Sequence, residues 1–276
     1  MEGYRVKKEY AKEFTSGELM AVAGSHLIND GDLVICGIGL SEVCTFLAIH
    51  THAPNAKVLM QQGVVEPRPI HSSMGLADPR EWLGSKCFTD YIDIMGATLQ
   101  RGLVDVGMLG GLEVDMYGNV NSTLIGTYDK PERYFTGSGG ANDIASLAKK
   151  FIVIMRPHEK RRFPERVSFI TSPGFISGPG AREKVGLRGG GPYRVITDLA
   201  VLGFDEKTKR MMLLAINPKV TVEEVQERTG FELLIPKKVA TMTPPTVEEQ
   251  KIIREILDRE GLYTGWNKEE PYSPKK

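Results

Sequence analysis

The stretch from Asp32 to Met60 constrains this chain more than any other. Asp32-Leu33-Val34-Ile35-Cys36-Gly37 is a short apolar run that enters the glycine turn Gly37-Ile38-Gly39. A helix-compatible segment from Ser41 to His50 and a second short apolar run at Lys57 to Met60 follow. Apolar runs of this length, without polar alternation, read as strands buried on both faces. Strand, glycine turn, helix and strand make a βαβ unit, which implies a mainly parallel sheet. Just upstream, Thr15-Ser16-Gly17-Glu18 has capping-box spacing and predicts a helix running to about Ile28 and the Asn-Asp-Gly-Asp turn.

The rest of the chain repeats the theme. Val104 to Leu109 predicts another buried strand, running into Gly110-Gly111, and Asp115-Met116-Tyr117-Gly118-Asn119 predicts a turn. Thr136-Gly137-Ser138-Gly139-Gly140 precedes a helix expected near Asn142 and a strand at Phe151 to Met155. Tyr193 to Phe204 and Arg210 to Ile216 flank the turn Asp205-Glu206-Lys207-Thr208, the pattern of an antiparallel hairpin near a sheet edge. Thr221-x-x-Glu224 and Thr246-x-x-Glu249 open two more capped helices, ending at Gly230 and Gly261. The expected architecture is therefore α/β: an open, mainly parallel sheet flanked by helices, with an antiparallel edge hairpin. A single domain is expected over residues 1–276, with a core of about 15–260. Residues 261–276 read as a mobile tail or an arm that docks on a partner.

The bulk numbers exclude several functions. Lys plus Arg and Asp plus Glu both total 35. No long-range field then recruits nucleic acid or an anionic membrane. Three cysteines, Cys36, Cys44 and Cys87, are an odd number without metal-ligand spacing, which points to reduced thiols. The five histidines show no metal spacing, so no metal site is expected. The charged N-terminus lacks a signal-peptide apolar core, and no apolar run approaches the roughly 20 residues needed to span a bilayer. A cytoplasmic protein is the expectation.

Three constellations could carry chemistry. Gly37-Ile38-Gly39-Leu40-Ser41-Glu42 has two glycines of a dinucleotide fingerprint, with Glu42 in the place of the third. It reads either as a tight strand-to-helix turn or as a backbone approach to a nucleotide-containing ligand. Gly137-Ser138-Gly139-Gly140-Ala141-Asn142 places exposed backbone N–H groups at a helix start, where a phosphate or a thioester-derived oxyanion is stabilised. Its bland alternative is a flexible glycine turn. His158-Glu159-Lys160-Arg161-Arg162-Phe163 reads first as a solvated charged face and second as an anion site.

Taken in order, longer segments resemble the β subunits of the glutaconate type in the class I CoA-transferase family. They are Gly110-Gly111-Leu112-Glu113-Val114-Asp115, Tyr117-Gly118-Asn119-Val120-Asn121-Ser122-Thr123 and Phe135-Thr136-Gly137-Ser138-Gly139-Gly140-Ala141-Asn142. His158 to Phe163, Thr171-Ser172-Pro173-Gly174, Gly178-Pro179-Gly180-x-Arg182-Glu183 and Phe204 to Met211 extend the likeness from about Glu18 to about Asp258. The resemblance implies pairing with a homologous α subunit, as a heterodimer or heterotetramer, with the active site at the interface. It implies coenzyme A as part of the substrate and no permanently bound cofactor. A β-subunit glutamate attacks the acyl-CoA carbonyl in such enzymes, and Gly139, Gly140 and Ala141 match the segment that offers N–H groups to that carbonyl. Gly37, Gly39, Gln62, Gly63, Ser138 and Asn142 are the matching candidates for substrate or CoA binding.

One position departs from the family. The catalytic glutamate belongs in a Glu-Ser-Gly stretch after the second strand, and here that stretch is Gln61-Gln62-Gly63. An uncharged amide oxygen is a poor nucleophile, so the covalent route of CoA transfer is lost at Gln61. An amide still donates a hydrogen bond to an oxyanion or positions a water. Several readings stay open. Another carboxylate substitutes, with Glu66 nearest in sequence and Glu42 next. The enzyme has turned to hydrolysis or carbon–carbon cleavage, including decarboxylation, as relatives of this family have. The chain is an engineered or naturally inactive variant, or it is a non-catalytic acyl-CoA-binding regulatory subunit. The acyl group is expected to be a dicarboxylic acid of the family's usual kind. The divergent Val64 to Pro79 segment leaves room for a larger one.

Overall fold

The computed structural model describes residues 9–69, 71 and 73–268. A sheet of ten strands runs through it. In chain order these are β1 (Leu33–Cys36), β2 (Lys57–Met60), β3 (Val64–Val65), β4 (Cys87–Phe88) and β5 (Val106–Leu109). Two small ladders interrupt the series, β6 (Glu113–Val114) with β7 (Val120–Asn121) and β8 (Leu124–Gly126) with β9 (Pro131–Tyr134). The sheet resumes with β10 (Lys150–Ile154), β11 (Pro192–Ile196), β12 (Ala200–Phe204), β13 (Met211–Ile216) and β14 (Ala240–Thr241). Its spatial order is β14-β13-β12-β11-β10-β5-β1-β2-β3-β4.

The five central strands, from β11 to β2, are parallel. Helix α2 (Leu40–His50) joins β1 to β2, whose register pairs Leu33 with Lys57 and Ile35 with Leu59, so the βαβ expectation holds. Strand β5 returns on the other side of β1. The chain thus leaves β1 in one direction and comes back in the other, and such a switch opens a crevice at the carboxyl ends of the strands. Side chains alternate between two cores. Ile35, Leu109, Phe151 and Val153 join one with Leu99 and Ile144, while Val34, Met108, Ile152 and Ile154 join the other with Phe46 and Leu47. Burial on both faces explains why these strands carry no polar alternation.

Helix α1 (Ser16–Ser25) starts at the expected capping box, with Thr15 Oγ1 accepting from the Glu18 N–H at 3.1 Å and Glu18 accepting from the Thr15 N–H at 2.9 Å. The remaining helices are α3 (Ala141–Leu147), α4 (Ala181–Lys184), α5 (Val222–Glu227) and α6 (Val247–Ile252). Both other expected capping boxes are present, at the starts of α5 and α6.

Three expectations need correction. The run from Tyr193 to Phe204 is not one strand but two, because Thr197 Oγ1 accepts from the N–H groups of Leu199 at 3.2 Å and Ala200 at 2.9 Å and turns the chain. β11 therefore continues the parallel sheet and only β12 and β13 form the antiparallel hairpin. The far edge beyond β2 was not expected at all: β3 and β4 add two short antiparallel strands, and Ile92–Leu99 forms a wide helical turn. Finally, residues 261–268, expected as a mobile tail or an arm that docks on a partner, pack against the chain's own helices. Asp258 accepts from the N–H groups of Leu262, Tyr263 and Thr264, and the Thr264 carbonyl accepts from Thr15 Oγ1 at 2.8 Å. A Cβ at Gly17 would lie 2.4 Å from that carbonyl oxygen, so the glycine lets α1 pack flush against this segment. Beside it, buried Glu18 receives the Arg254 guanidinium at 2.6 Å. The rest of the expected tail, residues 269–276, lies outside the described residues.

Candidate functional site

The glycine-rich loop before α3 is held from two sides. The Gly137 N–H donates to the Ser122 carbonyl at 3.0 Å, and Ser122 Oγ donates back to the Gly137 carbonyl at 2.9 Å. Gly137 and Gly139 have φ of 82° and 49°, a region that favours glycine. Ser138 Oγ accepts from the Asn142 N–H in the first turn of α3 at 3.1 Å, and Asn142 Nδ2 donates to the Thr171 carbonyl at 2.7 Å. Both residues, expected to bind substrate, also build the loop.

The C-terminal end of β2 meets this loop. Gln61 Oε1 accepts from the Gly140 N–H at 3.1 Å. A Cβ at Gly140 would come within 2.3 Å of that oxygen and 2.9 Å of Met95 Cε, so any larger residue displaces the Gln61 amide. A carboxylate at position 61 would satisfy the same N–H with one oxygen and leave the other as a nucleophile. With Gln61 the second group is an NH2, a donor. The three loop amides expected to face a carbonyl are not equivalent. Gly140 is engaged with Gln61, Ala141 donates to the Ser138 carbonyl at 3.0 Å, and only exposed Gly139 keeps an N–H without an acceptor among the described residues.

Gly63 is placed by the same crowding. Its φ is 102°, it accepts from the Thr89 N–H at 2.7 Å, and a Cβ would lie 2.1 Å from the Thr89 carbonyl oxygen. Gln62 carries its amide end into the interior, where neither Nε2 nor Oε1 has a hydrogen-bond partner among the described residues. Gly37 donates to the Met108 carbonyl at 3.1 Å, and Gly39 caps α2 beneath the Tyr263 ring. Within the turn expected to approach a ligand, Tyr263 of the C-terminal segment thus covers Gly39, while Gly37 and Ile38 stay half-buried.

Neither substitute carboxylate stands beside Gln61. β3 runs antiparallel to β2, pairing Met60 with Val64 and Leu59 with Val65, so Glu66 is carried back opposite Val58. There it forms an ion pair with Lys86 Nζ at 2.6 Å. Glu42 is buried against Ser73, whose Oγ lies 2.8 Å from Glu42 Oε2. Burial, and then the neighbouring Glu81, push the Glu42 carboxyl up to about 8. The carboxylate on the first turn of α3 is Asp143, which accepts from Tyr91 Oη at 3.5 Å. No sequence pattern singles it out, because Tyr91 reaches it across 52 positions.

The run at His158 to Phe163, expected as a charged face or an anion site, is split: Lys160 and Arg161 are exposed, while His158 and Phe163 turn inward. His158 is fully buried and stacks on Phe163 with ring centroids 3.9 Å apart. Its Nδ1 and Nε2 meet Thr197 Oγ1 at 2.9 Å and Thr229 Oγ1 at 3.1 Å, and burial pushes its pKa down to about 3. The Arg162 guanidinium donates to the Leu112 and Gly111 carbonyls. Arg161 pairs locally with Glu159 at 2.6 Å. Several other family-like residues serve the scaffold in the same way. Asp115 accepts from Tyr117 and Asn119, Asn119 holds Gly174 and Ile176, and buried Arg182 donates to five carbonyls between residues 145 and 189. Among the described residues no group of three His, Cys, Asp or Glu side chains could hold a metal ion. No helix among them is long and apolar enough to cross a membrane.

Residues 17–228 match the Coenzyme A transferase family. The chain is 39% identical over 251 residues to the β-type subunit of glutaconate CoA-transferase from Acidaminococcus fermentans, covering 89% of this chain and 93% of that protein. The crystal structure of glutaconate coenzyme A-transferase from the same organism superposes with a TM-score of 0.85 over 93% of this chain and 99% of that one. A cholesterol ring-cleaving hydrolase subunit from Mycobacterium bovis is 27% identical over 252 residues, covering 90% of this chain and 96% of its own. The decarboxylase AibA/AibB shares the fold, with a TM-score of 0.79 at 23% identity over 92% of this chain and 99% of that one.

Proposed function

The chain belongs to the coenzyme A transferase family, and from that premise we propose that it is the β-type subunit of a two-subunit enzyme acting on acyl-CoA thioesters, diverged to hydrolysis or carbon–carbon cleavage. The contact between Gln61 Oε1 and the Gly140 N–H carries this reading. It fixes the amide so that Nε2 is the free end, and an N–H donor stabilises a developing oxyanion or orients a water but forms no acyl intermediate. The open Gly139 N–H is the second donor in this arrangement. The substrate is an acyl-CoA, with a dicarboxylic acyl group as the family's usual cargo, and coenzyme A enters only as part of it.

A homologous α subunit supplies what this half lacks. Trp82, Leu83, Phe88 and Ile92 are large apolar side chains left exposed on or beside β4, next to the segment that contacts Gly63. An apolar strip on an open sheet edge is the kind of surface that a partner covers. The carboxylate that activates water or abstracts a proton then comes from that partner or from Asp143. The relatives with hydrolase and decarboxylase names support a departure from transfer. The ion-paired, averted Glu66 counts against transferase chemistry run by that residue.

The test is an acyl-CoA assay on the chain purified with its α partner. Free CoA released without an acceptor acid supports hydrolysis, and CO2 release supports decarboxylation. Acceptor-dependent thioester formation restores the transferase reading, and no turnover of any acyl-CoA leaves a purely binding role. In the same complex Gln61→Glu should introduce or raise CoA transfer, with borohydride then inactivating the enzyme only when acyl-CoA is present.

A further inference from the structure

Three side chains outside the Gln61 site form a buried unit that the proposed chemistry does not use. Glu42 lies in the first turn of α2, Glu81 lies in a short helical turn at Pro79–Trp82, and Ser73 sits between them. All three are buried. Ser73 Oγ bonds both Glu42 Oε2, at 2.8 Å, and Glu81 Oε1, while the Ser73 N–H also points at Glu42. A hydroxyl has one proton to donate. It can serve one carboxylate, and toward the second it must accept, so one of the two glutamates carries a proton of its own. The second oxygen of Glu81 is buried without a partner among the described residues, as suits a pair from which one charge has been removed.

The same serine is tied to the glycine turn at the end of β1. Tyr263 Oη donates to the Ser73 carbonyl, and the Tyr263 ring covers Gly39, with Cε1 3.3 Å from where a Cβ would be. Gly39 in turn accepts from the Glu42 N–H at 3.0 Å. We propose that Glu42 and Glu81 share one proton through Ser73, and that this proton straps the 73–82 segment and Tyr263 over the Gly37–Gly39 turn, uncovering the turn when the proton leaves. The proposal does not depend on which reaction the Gln61 site performs.

The charges around the unit set the direction of the switch. Asp78 on the preceding loop adds a negative charge, but it is bound to Arg80 and to the Met74 N–H. Arg80 is therefore engaged, with His71 as its other neighbour at 3.4 Å. Cys36 at the end of β1 is buried, and its thiol is pushed up by that burial and by Glu42, so it brings no charge. Tyr263 is pushed up by burial and then by Glu42, and it too stays neutral. No cation among the described residues neutralises a second carboxylate, so desolvation and mutual repulsion hold one proton on the pair up to about 8. A carboxyl raised in this way contributes stability in full below the ordinary glutamate range of roughly 4.3 and loses it as pH climbs toward 8. The strap is tightest in acid and weakens steadily as pH climbs to about 8, where the last of the proton's contribution is lost.

Two measurements on the full chain test this. Infrared difference spectra of wild type minus Glu42→Gln should show a protonated-carboxyl carbonyl band at pH 7 that fades by about pH 9. Hydrogen exchange, corrected for intrinsic base catalysis, should show protection of residues 37–42 and 73–82 falling about tenfold between those pH values, about one decade for the one pH unit below about 8 and little beyond it. In Glu42→Gln an NH2 donates to Ser73 Oγ at every pH, so that fall should vanish. If Glu42→Gln does not fold, Glu81→Gln makes the same test from the other side. Absence of the band at neutral pH, or an equal loss of protection in the glutamine variants, overturns the proposal.

Discussion

The Gly140 N–H donates to Gln61 Oε1 at 3.1 Å, joining the end of β2 to the start of α3. A methyl group at 140 would press on that oxygen and on Met95 Cε, both of them ends of side chains that can swing away. Gly140→Ala should therefore fold, with its Tm within about 4 °C of wild type. Its turnover with the α subunit should drop on the order of 10²-fold, because a misplacement of about 1 Å at the reacting groups is that costly. Calorimetry and steady-state kinetics on the same preparation check both halves.

Gly63 differs because its neighbour is backbone. A Cβ there meets the Thr89 carbonyl oxygen and carbon at 2.1 and 2.7 Å, and φ is 102°. Relief requires the 89–92 segment to move. Gly63→Ala should lose about 3 kcal/mol or more of stability. Urea unfolding read by circular dichroism gives that number. An unchanged midpoint would show that Thr89 is not held where the structure puts it.

Arg254 neutralises buried Glu18 through two hydrogen bonds, at 2.6 and 3.1 Å. Arg254→Ala leaves a buried carboxylate with, among the described residues, only the Thr15 N–H and Gln250 as partners. The expected loss is about 3–5 kcal/mol, and Glu18→Gln in the same background should recover part of it. A double-mutant cycle in denaturant measures the coupling.

His158 makes the acid limb of stability steeper. Burial, and then Arg228, lower its pKa to about 3, against about 6.5 for an unfolded histidine. Below about 6.5 the unfolded chain binds a proton that the folded one refuses, so stability falls as pH drops toward 3 and is unaffected above neutrality. His158→Gln should flatten this limb while costing about 2 kcal/mol at pH 7 from altered buried hydrogen bonds. Denaturant midpoints taken between about pH 4 and pH 8 compare the two slopes.

What the sequence revealed was local. The Thr15, Thr221 and Thr246 caps could be read because each needs only a partner three residues on. The β1–α2–β2 unit could be read because burial on both faces leaves an unbroken apolar run. The approach of Gln61 to Gly140 followed from the resemblance, and no local pattern announces it. What stayed hidden depended on distant partners. The lysine and arginine residues beside His158 mask the fact that its own ring points inward to Thr197 and Thr229. Glu66 looked like a substitute carboxylate until the antiparallel turn of β3 carried it away from the strand end. Thr197 split a long apolar run with hydrogen bonds that no hydrophobic pattern records.

The seat of Thr264 on Gly17, beside the pairing of Arg254 with Glu18, has a consequence for biosynthesis. A ribosome delivers α1 long before these partners. Until Arg254 emerges from the exit tunnel, Glu18 is a charge without its counterion, and α1 cannot settle into its place. The nascent chain therefore stays open at α1 until Arg254 and Thr264 arrive. Products ending before residue 254 should carry an α1 without its docking partners, open to solvent at the face that Gly17 and Glu18 present.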